Sequence, residues 1–506
     1  WLASANAGAS LYDPNYNIAT NFKHLESDIH SLSSDQVTSI YEDDEARIWI
    51  ATLDGLNLYI PTENHFLRYT NQNSGLQENF ITSVYQTREG KYWIGTLSSL
   101  VSGMKTEFHT FNRTIGHLSN DAVNAFSETN DGSIWVGTDD GLNRLRPNAS
   151  QFEWLNESTL PAIQNPTIMS LYADGDSIWV GTFEDGINKI NLTTGEIKNY
   201  KHSRIRDSSI GANGITSILR LTTGELLVGT YGGGLSIYQE GSDDFVNLTN
   251  DSSISSSISN NMVLALFEDS FGFVWVGTEK GLNRFHPDSM EFDRFFAERG
   301  VTNGLSSDIP WCFYEHVDGT LWIGTAGGSL NLWPADDRKK SILNIQHFSE
   351  KISLPSSNIY GIQGDNSGWV WVSHNLGLTR INPISLESHQ YGVRDGLQGK
   401  EFTQGASFKS SNGVVYFGGA NGFNTIDADF MTIDRIPPKV AISQIKVMNE
   451  RRIFEQPYYL LDAIRLGYED KMLSVEFFAA DYSNPNLVNY AYKLEGINPD
   501  WVISPD

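Results

Sequence analysis

The residues whose side chains could bind a ligand or take part in a reaction lie where this sequence departs from an otherwise repetitive pattern. Tyr231 in "TYGGG" and Trp311 in "SSDIPWCFYEH" add aromatic rings, and His374 in "WVSHNLG" replaces a threonine. At or beside the position of Tyr231, other copies of the pattern carry acidic residues, namely Asp139, Asp140 and Glu279. An aromatic platform with nearby amides and carboxylates suits stacking and hydrogen bonding to a neutral or amino sugar. The pattern predicts a ligand-binding site, although Trp311 could instead fill a channel and His374 could be a satisfied turn residue.

Motifs that would make the chain an enzyme are missing from the sequence. The nearest approach to a sialidase-type Asp box, "SETNDGSIW" at residues 127–135, has the wrong Asp–Gly spacing and is better explained as a hairpin. Neither a nucleotide-binding glycine loop nor a G-x-S-x-G elbow occurs. The 11 histidines show no i, i+4 pairing, and "DPNYN" at residues 13–17 lacks the glycine of a calcium loop. We predict no catalytic residue, metal or cofactor; the 61 acidic residues keep a polysaccharide hydrolase or lyase as an alternative.

Composition restricts the classes of ligand and of covalent cross-link that the chain can have. The 506 residues include 35 basic and 61 acidic side chains, a net charge of −26, which argues against nucleic acid and anionic membranes as direct ligands. Cys312 is the single cysteine, so a disulfide framework is excluded. No stretch approaches 18 apolar residues, so no transmembrane helix is predicted. The chain starts without Met and inside a repeat, and we expect it to be part of a longer protein.

The elements that must position these residues are repeats. Segments related to "WVGT" occur ten times, about 45 residues apart, at Trp1, Trp49, Trp93, Trp135, Trp179, Leu227, Trp275, Trp322, Trp371 and Tyr416. Each copy combines alternating apolar residues, tight-turn residues such as "TNDGS" and a second hairpin "T-x-x-G-L-N", which predicts four short antiparallel strands. One such sheet cannot bury both faces, so the copies are expected to stack as blades of a β-propeller. The Trp would pack between blades, and the Gly two residues later would leave room for the neighbouring backbone.

Two kinds of loop should meet on one face of this propeller, around its central opening. They are the loop into the first strand of a blade and the loop between its second and third strands. The first kind contains Trp311, and the second contains Tyr231 and His374. Arg394, in the segment "RDGLQGKEF" that leads into the last blade, is a further candidate contact. Few basic residues lie in these loops, so a heavily sulfated glycan fits poorly.

Several segments together resemble a known family. "SLSSDQVTSIYEDDEARIWIATLDGLNLY" resembles the two-component-regulator propeller repeat of periplasmic sensor regions, and residues 395–427 resemble the terminal blade of that family. "PPKVAISQIKVMN" and "LSVEFFAADYSNPNLVNYAYKLEGINPDW" resemble the tyrosine-rich, immunoglobulin-like β-sandwich that follows the propellers. The resemblance implies two stacked seven-bladed propellers, the sandwich, a membrane helix, and a cytoplasmic histidine kinase or diguanylate cyclase. It also implies a glycan or glycan fragment as ligand.

The expected fold is all-β, and its domains follow from counting copies. Seven copies back from Tyr416 reach Trp135, which predicts a seven-bladed propeller over residues 118–436. Residues 1–117 would be the last blades of a first propeller, and residues 437–506 the first part of the sandwich, which is too short to be complete. The copy after Trp93 is degenerate and lacks the "T-x-x-G-L-N" hairpin. A single ring of ten blades is the alternative.

The sequence thus predicts a non-enzymatic, periplasmic sensor region that recognises an oligosaccharide or other small molecule. Family likeness predicts a homodimer through the sandwich and attachment to the membrane only through a helix outside this chain. A ligand would act by shifting the sandwich and the spacing of two membrane helices. The alternative from a different class is a protein-interaction scaffold, in which Tyr231 and Trp311 form an interface patch.

Overall fold

The structure is a computed structural model, and it separates the chain into two compact units. It describes residues 1–104, 108–427, 440–479 and 490–504, apart from 63, 88–89, 115–116, 148, 150, 156–164, 299, 302, 349–353, 455, 458–462 and 499–501. One unit comprises residues 1–105 with 432–506, and the other comprises residues 106–431. Strands dominate both units, which confirms the predicted all-β class.

Residues 1–104 form three antiparallel sheets in chain order. Their strands are β1 (Leu2–Ala3), β2 (Ala9–Asp13) and β3 (Ile18–Phe22); β4 (Val37–Glu42), β5 (Ile48–Thr52), β6 (Gly55–Ile60) and β7 (His65–Tyr69); and β8 (Ile81–Gln86), β9 (Lys91–Thr96) and β10 (Leu100–Met104). The middle sheet has the four strands that the repeat predicts. The third has only three, β10-β9-β8, in the copy whose second hairpin is degenerate in sequence.

Residues 106–431 form seven four-stranded sheets. The first three contain β12 (Val123–Glu128), β13 (Ile134–Thr138), β14 (Gly141–Leu145) and β15 (Glu153–Leu155); β16 (Ile168–Asp174), β17 (Ser177–Thr182), β18 (Ile187–Asn191) and β19 (Ile197–Tyr200); and β20 (Ile215–Arg220), β21 (Leu226–Thr230), β22 (Leu235–Gln239) and β23 (Asp244–Leu248). The next three contain β24 (Val263–Glu268), β25 (Val274–Thr278), β26 (Gly281–His286) and β27 (Glu291–Phe295); β28 (Pro310–Glu315), β29 (Leu321–Thr325), β30 (Leu330–Trp333) and β31 (Gln346–His347); and β32 (Ile359–Gly364), β33 (Val370–His374), β34 (Gly377–Ile381) and β35 (Ser388–Tyr391). The seventh joins β11 (Phe108–Phe111) to β36 (Phe402–Lys409), β37 (Val415–Gly419) and β38 (Gly422–Ile426). A short helix α1 (Ala335–Lys339) and a 3-10 turn (Val393–Asp395) interrupt the strands.

The seven sheets close into a ring, so residues 106–431 are a seven-bladed β-propeller. The first strand of each blade contacts the first strand of the next, and β36 of the last blade contacts β12 of the first. The ring is fastened by β11, which pairs antiparallel with β38, Phe108 opposite Ile426 and Phe111 opposite Phe423. The ring therefore begins before residue 118, where the sequence suggested its start, because its closing strand comes from the segment ahead of the first "WVGT" copy.

Tryptophan and glycine of the repeat have the packing roles expected from the sequence. Trp179, Trp275 and Trp371 are fully buried between blades, and the indole Nε1 of Trp275 donates a hydrogen bond to the Oδ2 of Asp269 in the preceding turn at 2.9 Å. A Cβ added to Gly137 would lie 2.7 Å from Cγ2 of Ile168 in the next blade. The glycine is thus required by close approach of neighbouring sheets.

One blade exchanges the positions of its small and larger residues. In β33 the usual glycine is Ser373, and its partner in β32, which is Ala, Ser or Cys in the preceding blades, is Gly361. A Cβ at Gly361 would lie 3.1 Å from Oγ of Ser373 and 2.7 Å from Cβ of Ser407 in the next blade. The two departures from the repeat therefore compensate each other.

The described part of residues 437–506 is antiparallel sheet. Its strands are β39 (Val440–Val447), β40 (Glu450–Arg451), β41 (Leu473–Ala479), β42 (Tyr490–Tyr492) and β43 (Val502–Ser504). They form one sheet of order β40-β39-β41 and a β42-β43 pair. An immunoglobulin-like sandwich remains a prediction for this segment.

Candidate functional site

Every inner strand of the propeller bulges immediately after its first residue. The pairing register shifts between Val123 and Ala125, and equivalent shifts occur in all seven blades. A bulge leaves one residue out of the ladder and re-aims its side chain. Six blades contribute one such residue each, and the seventh contributes a longer segment: Asn124, Met169, Thr216, Leu264, Trp311, Tyr360 and residues 403–406. The bulges place a ring of side chains at the centre of the propeller.

This bulge ring surrounds a central cavity of about 500 Å³. Five of the six single bulge residues line the cavity, together with Phe183 and Tyr231 from two adjacent blades. Its polar lining is entirely uncharged: Asn124, Ser170, Thr216, Ser217, Gln363, Thr403, Gln404 and Ser407. Among the described lining residues, none is acidic, basic or His. The cavity combines apolar faces with hydroxyl and amide groups, as ligand pockets of this size commonly do.

Trp311 lies in the cavity wall, and its contact with a ligand stays a prediction. Its ring stacks on Tyr360 of the next blade, with centroids 5.2 Å apart and planes 15° apart. Burial raises the pKa of the Tyr360 hydroxyl. Smaller bulge residues bond to the next blade instead: the Nδ2 of Asn124 donates to the carbonyl of Ile168 at 3.0 Å, and the Oγ1 of Thr216 to that of Val263 at 2.7 Å. Because Trp311 and Tyr360 belong to adjacent blades, their stacking contact joins the two blades at the cavity wall.

Tyr231 stands at the mouth of the same cavity, where it is 54 % exposed. Phe183 occupies the equivalent position one blade earlier and is 47 % exposed, a residue that the sequence analysis missed. Between them, a Cβ on Gly214 would lie 3.0 Å from both the Phe183 carbonyl oxygen and Tyr231 Cβ. The two aromatic side chains are thus anchored on adjacent loops of one rim.

The acidic candidates lie outside the cavity lining. Asp139, Asp140 and Glu279 are exposed and follow the "GT" of their copies, as Tyr231 does. Asp139 is closest to the bulge ring, because its Oδ1 accepts a hydrogen bond from Nδ2 of Asn124 at 2.9 Å. The side chain of Arg394 lies outside the described part of the structure. The structure therefore joins Trp311 and Tyr231 in one site and leaves these carboxylates at its edge.

His374 does not line the cavity. It is a buried residue whose ring nitrogens both have hydrogen-bond partners, which agrees with the alternative interpretation of His374 as a satisfied turn residue. The side chain is buried, with Nε2 2.8 Å from Oγ1 of Thr379 and Nδ1 accepting from the backbone N–H of Leu376 at 3.2 Å. In five other copies the corresponding pair is Thr and Asn, as in Thr138 and Asn143. His374 and Thr379 therefore form a substituted version of the repeat's own polar network.

Acidification should test this placement. Burial lowers the pKa of His374 from 6.5 to about 4, so the unfolded chain binds the proton more readily than the folded chain. The stability due to neutral His374 is complete above pH 6.5 and is lost as the pH falls towards 4, by about 3 kcal/mol in total. Chemical denaturation of wild type and His374→Gln between pH 7 and 4 should show a shallower decline for the variant. His389→Gln, at a half-buried position on β35, serves as the control, and identical slopes for all three proteins would contradict the assignment.

Sequence reasoning missed most of the bulge ring. The available signal was variability: the residue after the first apolar residue of each inner strand changes from Asn to Met, Thr, Leu, Trp and Tyr, while its neighbours keep their type. Among the described residues, no group of three His, Cys, Asp or Glu side chains could hold a metal ion. Nor does any helix in the described ranges have the length and hydrophobicity of a membrane span.

One closed ring of seven four-stranded blades defines residues 106–431 as a β-propeller, and comparison with known proteins shows which repeat it resembles. Residues 31–54, 75–98, 117–140 and 257–280 match the family described as two component regulator propeller. Four repeats of this chain thus match the two-component-regulator propeller repeat that the resemblance in sequence predicted.

Two longer proteins are similar to most of this chain, one in sequence and one in fold. "Histidine kinase P4" of Formosa agariphila is 23 % identical over 403 residues, which cover 76 % of this chain and 28 % of the relative. The crystal structure of the extracellular domain of a proposed one-component system protein from B. thetaiotaomicron is 19 % identical with a TM-score of 0.51. That match covers 99 % of this chain and 66 % of the other, and it shows a shared fold. The chain spans less than a third of the curated kinase and about two thirds of the solved domain.

Proposed function

We propose that the propeller of residues 106–431 is a ligand-sensing domain that binds a neutral, hydroxyl-rich molecule, such as an uncharged oligosaccharide, in its central cavity. The observation that carries the proposal is the composition of the cavity wall. Aromatic side chains stand beside hydroxyl and amide groups, and no charged residue is among the described lining residues. Sugar rings offer apolar C–H faces for stacking and hydroxyls for hydrogen bonds, so they use both kinds of surface.

Electrostatics favour a neutral ligand over an anionic one. The chain carries a net charge of −26, and Asp139 and Glu279 are exposed on loops equivalent to the one that carries Tyr231. An anion would be repelled at the entrance and would find no compensating cation in the described wall. The affinity for a neutral sugar should consequently change little with ionic strength, because salt screens interactions between charges and the sugar carries none.

The receptor context rests on the repeat family and on the histidine kinase relative. In this proposal the chain is part of the extracytoplasmic, periplasmic region of a membrane receptor, without catalytic activity of its own. It relays binding to a cytoplasmic histidine kinase or diguanylate cyclase. The relay requires the ligand to bind one geometry of a homodimer, joined through residues 437–506, more tightly than another. Signalling that persists unchanged after these segments are disulfide-locked together would contradict this relay.

A thermal-shift titration of the 506-residue protein tests the ligand class. Neutral oligosaccharides should raise the melting temperature with concentration, because a ligand that binds only the native state stabilises it. Trp311→Ala removes the stacked wall and should abolish the shift. Trp154→Ala is the matched control, since Trp154 is 46 % exposed and is absent from the cavity lining. Stabilisation by sulfated oligosaccharides alone, or a shift that survives Trp311→Ala, would overturn the proposal.

A second candidate is a protein-interaction surface on the same rim. The observation that favours it is the exposure of two adjacent aromatic side chains, Phe183 and Tyr231. Exposed aromatic pairs are frequent anchors of protein interfaces. A flat response to all sugars, together with a defined protein complex that Tyr231→Ala disrupts and Trp311→Ala does not, would select this function.

A further inference from the structure

Apolar and polar lining residues of the central cavity lie on different sides of the ring. The blades are numbered 1 to 7 in the order of their inner strands, which are β12, β16, β20, β24, β28, β32 and β36. Blades 4 and 5 contribute lining residues without a hydroxyl or amide side chain, here called the apolar wall: Leu264, Ala265, Leu266, Trp311, Cys312 and Phe313. Blades 6 and 7 contribute lining residues without an apolar side chain: Gln363, Thr403, Gln404, Gly405 and Ser407. Blades 1 to 3 contribute residues of both kinds.

Asn124 of blade 1 adds a polar group on the side of the ring that faces the apolar wall. In the closed ring, blade 1 is three steps away from blade 4 and three from blade 5, the largest separation that seven blades allow. Blade 7 is next to blade 1, and its inner strand β36 also contacts β28 of blade 5, although blade 6 lies between them. A ligand that spans the cavity therefore has the apolar wall on one side and a polar wall, formed by Asn124, Thr403 and Gln404, on the other.

Trp311 offers one ring face to a ligand. Its other face is covered by Tyr360, whose ring plane is 15° from that of the indole. Leu264 and Leu266 of the adjacent blade line the same side of the cavity. A sugar ring that stacks on this wall accordingly turns its second face towards the polar wall.

Hydrogen bonds fix the direction of the Asn124 amide. Its Nδ2 donates to Oδ1 of Asp139 at 2.9 Å and to the carbonyl of Ile168 at 3.0 Å, which uses both of its hydrogens. A flipped amide would place Oδ1 against these two acceptors and lose both bonds. Oδ1 of Asn124 is thus kept as an acceptor for a ligand, and Asp139 is the positioning residue that holds it in this direction.

The polar side chains of blade 7 are available to a ligand. Within the described ranges, neither the hydroxyl of Thr403 nor the side-chain amide of Gln404 makes a hydrogen bond to the protein. Thr216, on another blade of the same cavity, differs because its Oγ1 donates to the carbonyl of Val263 at 2.7 Å. The hydroxyl of Thr403 can therefore serve a ligand with its hydrogen, whereas that of Thr216 is already engaged.

A sugar whose two faces differ in polarity fits a cavity with two such walls. In galactose one hydroxyl is axial and projects from one face of the pyranose ring, and C–H groups form an apolar patch on the opposite face. In glucose the ring hydroxyls are equatorial, so both faces expose C–H groups. A glucose ring suits a site with an apolar wall on each side, whereas a galactose ring suits one apolar and one polar wall.

We propose that the cavity selects sugars of the galacto configuration over those of the gluco configuration, with the apolar face of the sugar on Trp311 and the axial hydroxyl directed to the polar wall. This selectivity rests on the sugar-binding function proposed above. The axial hydroxyl donates to Oδ1 of Asn124, and a glucose ring stacked in the same position leaves that acceptor without a partner. The missing hydrogen bond lowers the affinity by about tenfold.

Isothermal titration calorimetry of the 506-residue protein with lactose and cellobiose tests the selectivity, because these disaccharides differ only in the orientation of one hydroxyl. Lactose should bind about tenfold more tightly. Equal affinities, or tighter binding of cellobiose, would overturn the selectivity and leave the proposed function standing. If neither disaccharide binds, the selectivity is wrong, and the thermal-shift titration with other neutral oligosaccharides decides the proposed function separately.

A matched pair of variants locates the polar wall. Asn124→Leu and Thr216→Val each remove a side-chain hydrogen bond to the next blade, but only Asn124→Leu removes an acceptor from the polar wall. The ratio of lactose to cellobiose affinity should fall to about one in Asn124→Leu and stay near tenfold in Thr216→Val. Thr403→Val, which removes no hydrogen bond within the described chain, should also lower the ratio. A ratio that is unchanged in both polar-wall variants would contradict the direction given to the axial hydroxyl.

The positioning role of Asp139 has its own readout. Asp139→Ala should lower the affinity ratio, because the Asn124 amide can then turn its oxygen away from the ligand. Asp139→Asn should restore the ratio, since its side-chain oxygen still accepts from Nδ2 of Asn124. If Asp139→Ala weakened the binding of lactose and cellobiose equally, Asp139 would have a structural role only.

Discussion

A protein that begins at residue 118 is expected to unfold with little cooperativity, whereas one that begins at residue 106 unfolds as a single ring. The difference is strand β11. Phe108 is buried in a cluster with Trp371 and Phe417, and Phe111 stacks on Phe423 with centroids 4.7 Å apart. Loss of the buried Phe108 costs about 3–5 kcal/mol, and loss of the half-buried Phe111 adds to it, so the two together are a large part of the stability of an ordinary domain.

Urea denaturation of the two truncated proteins, both ending at residue 431, measures this effect. The shorter protein should have a much lower midpoint and a reduced m-value, because the edge of β38 and the rings against it are already exposed. Phe111→Leu in the longer protein is the control, since it keeps the strand and most of the apolar contact. Equal midpoints for the two truncated proteins would mean that the ring closes without β11.

Asp365→Ala is expected to destabilise the propeller by about 3–5 kcal/mol, because it leaves a buried guanidinium without its partner. The Oδ2 of Asp365 accepts from Nη2 of Arg380 at 2.9 Å and from Nε1 of Trp371 at 3.0 Å. Its Oδ1 accepts from the backbone N–H of Trp369 at 2.9 Å. Arg380 is only 2 % exposed, so water cannot replace the lost carboxylate.

The matched control is Asp318→Ala. Asp318 lies in the equivalent turn of the preceding blade, but it is exposed and accepts one backbone hydrogen bond, from Thr320 at 2.8 Å. Its removal should cost about 1 kcal/mol or less. Replacing both members of the buried pair, as Asp365→Leu with Arg380→Met, should recover much of the loss. If the double variant were no more stable than Asp365→Ala alone, the unpaired charge would not be the cause.

Much of the fold could be predicted from the sequence because each repeat shows the same pattern of core and turn residues. The spacing of the "WVGT" copies predicts blades, and the buried Trp275 and the crowded Gly137 have the roles assigned to them. The start of the ring could not be predicted in this way. Strand β11 carries no repeat motif. It belongs to the propeller because it pairs with β38, which lies more than 300 residues along the chain.

The candidate site was predictable only in part, for a related reason. Trp311 stood out as a large residue at a position that other copies fill with smaller ones. Met169 and Thr216 did not, because their place in the cavity depends on a bulge whose only sequence signal is the variability of one position among the copies. His374 stood out equally well, yet its neighbour Thr379 changes with it and keeps it inside the blade. An unusual residue in one repeat can be a candidate for ligand binding or one half of a compensating pair inside the blade. The two cases can be told apart only when the residue that it contacts is also compared among the repeats.

The exchange between Gly361 and Ser373 has a consequence for how this gene can change. Near-identical copies such as "SIWVGTDDGLNRL" and "FVWVGTEKGLNRF" are substrates for recombination and gene conversion, which copy short tracts from one repeat to another. The two compensating residues lie 12 positions apart, so a tract that carries Ser373 into another blade without Gly361 would drive a side chain into the next sheet. A blade of this ring can therefore take serine at the usual glycine position only if the facing residue of its first strand is glycine.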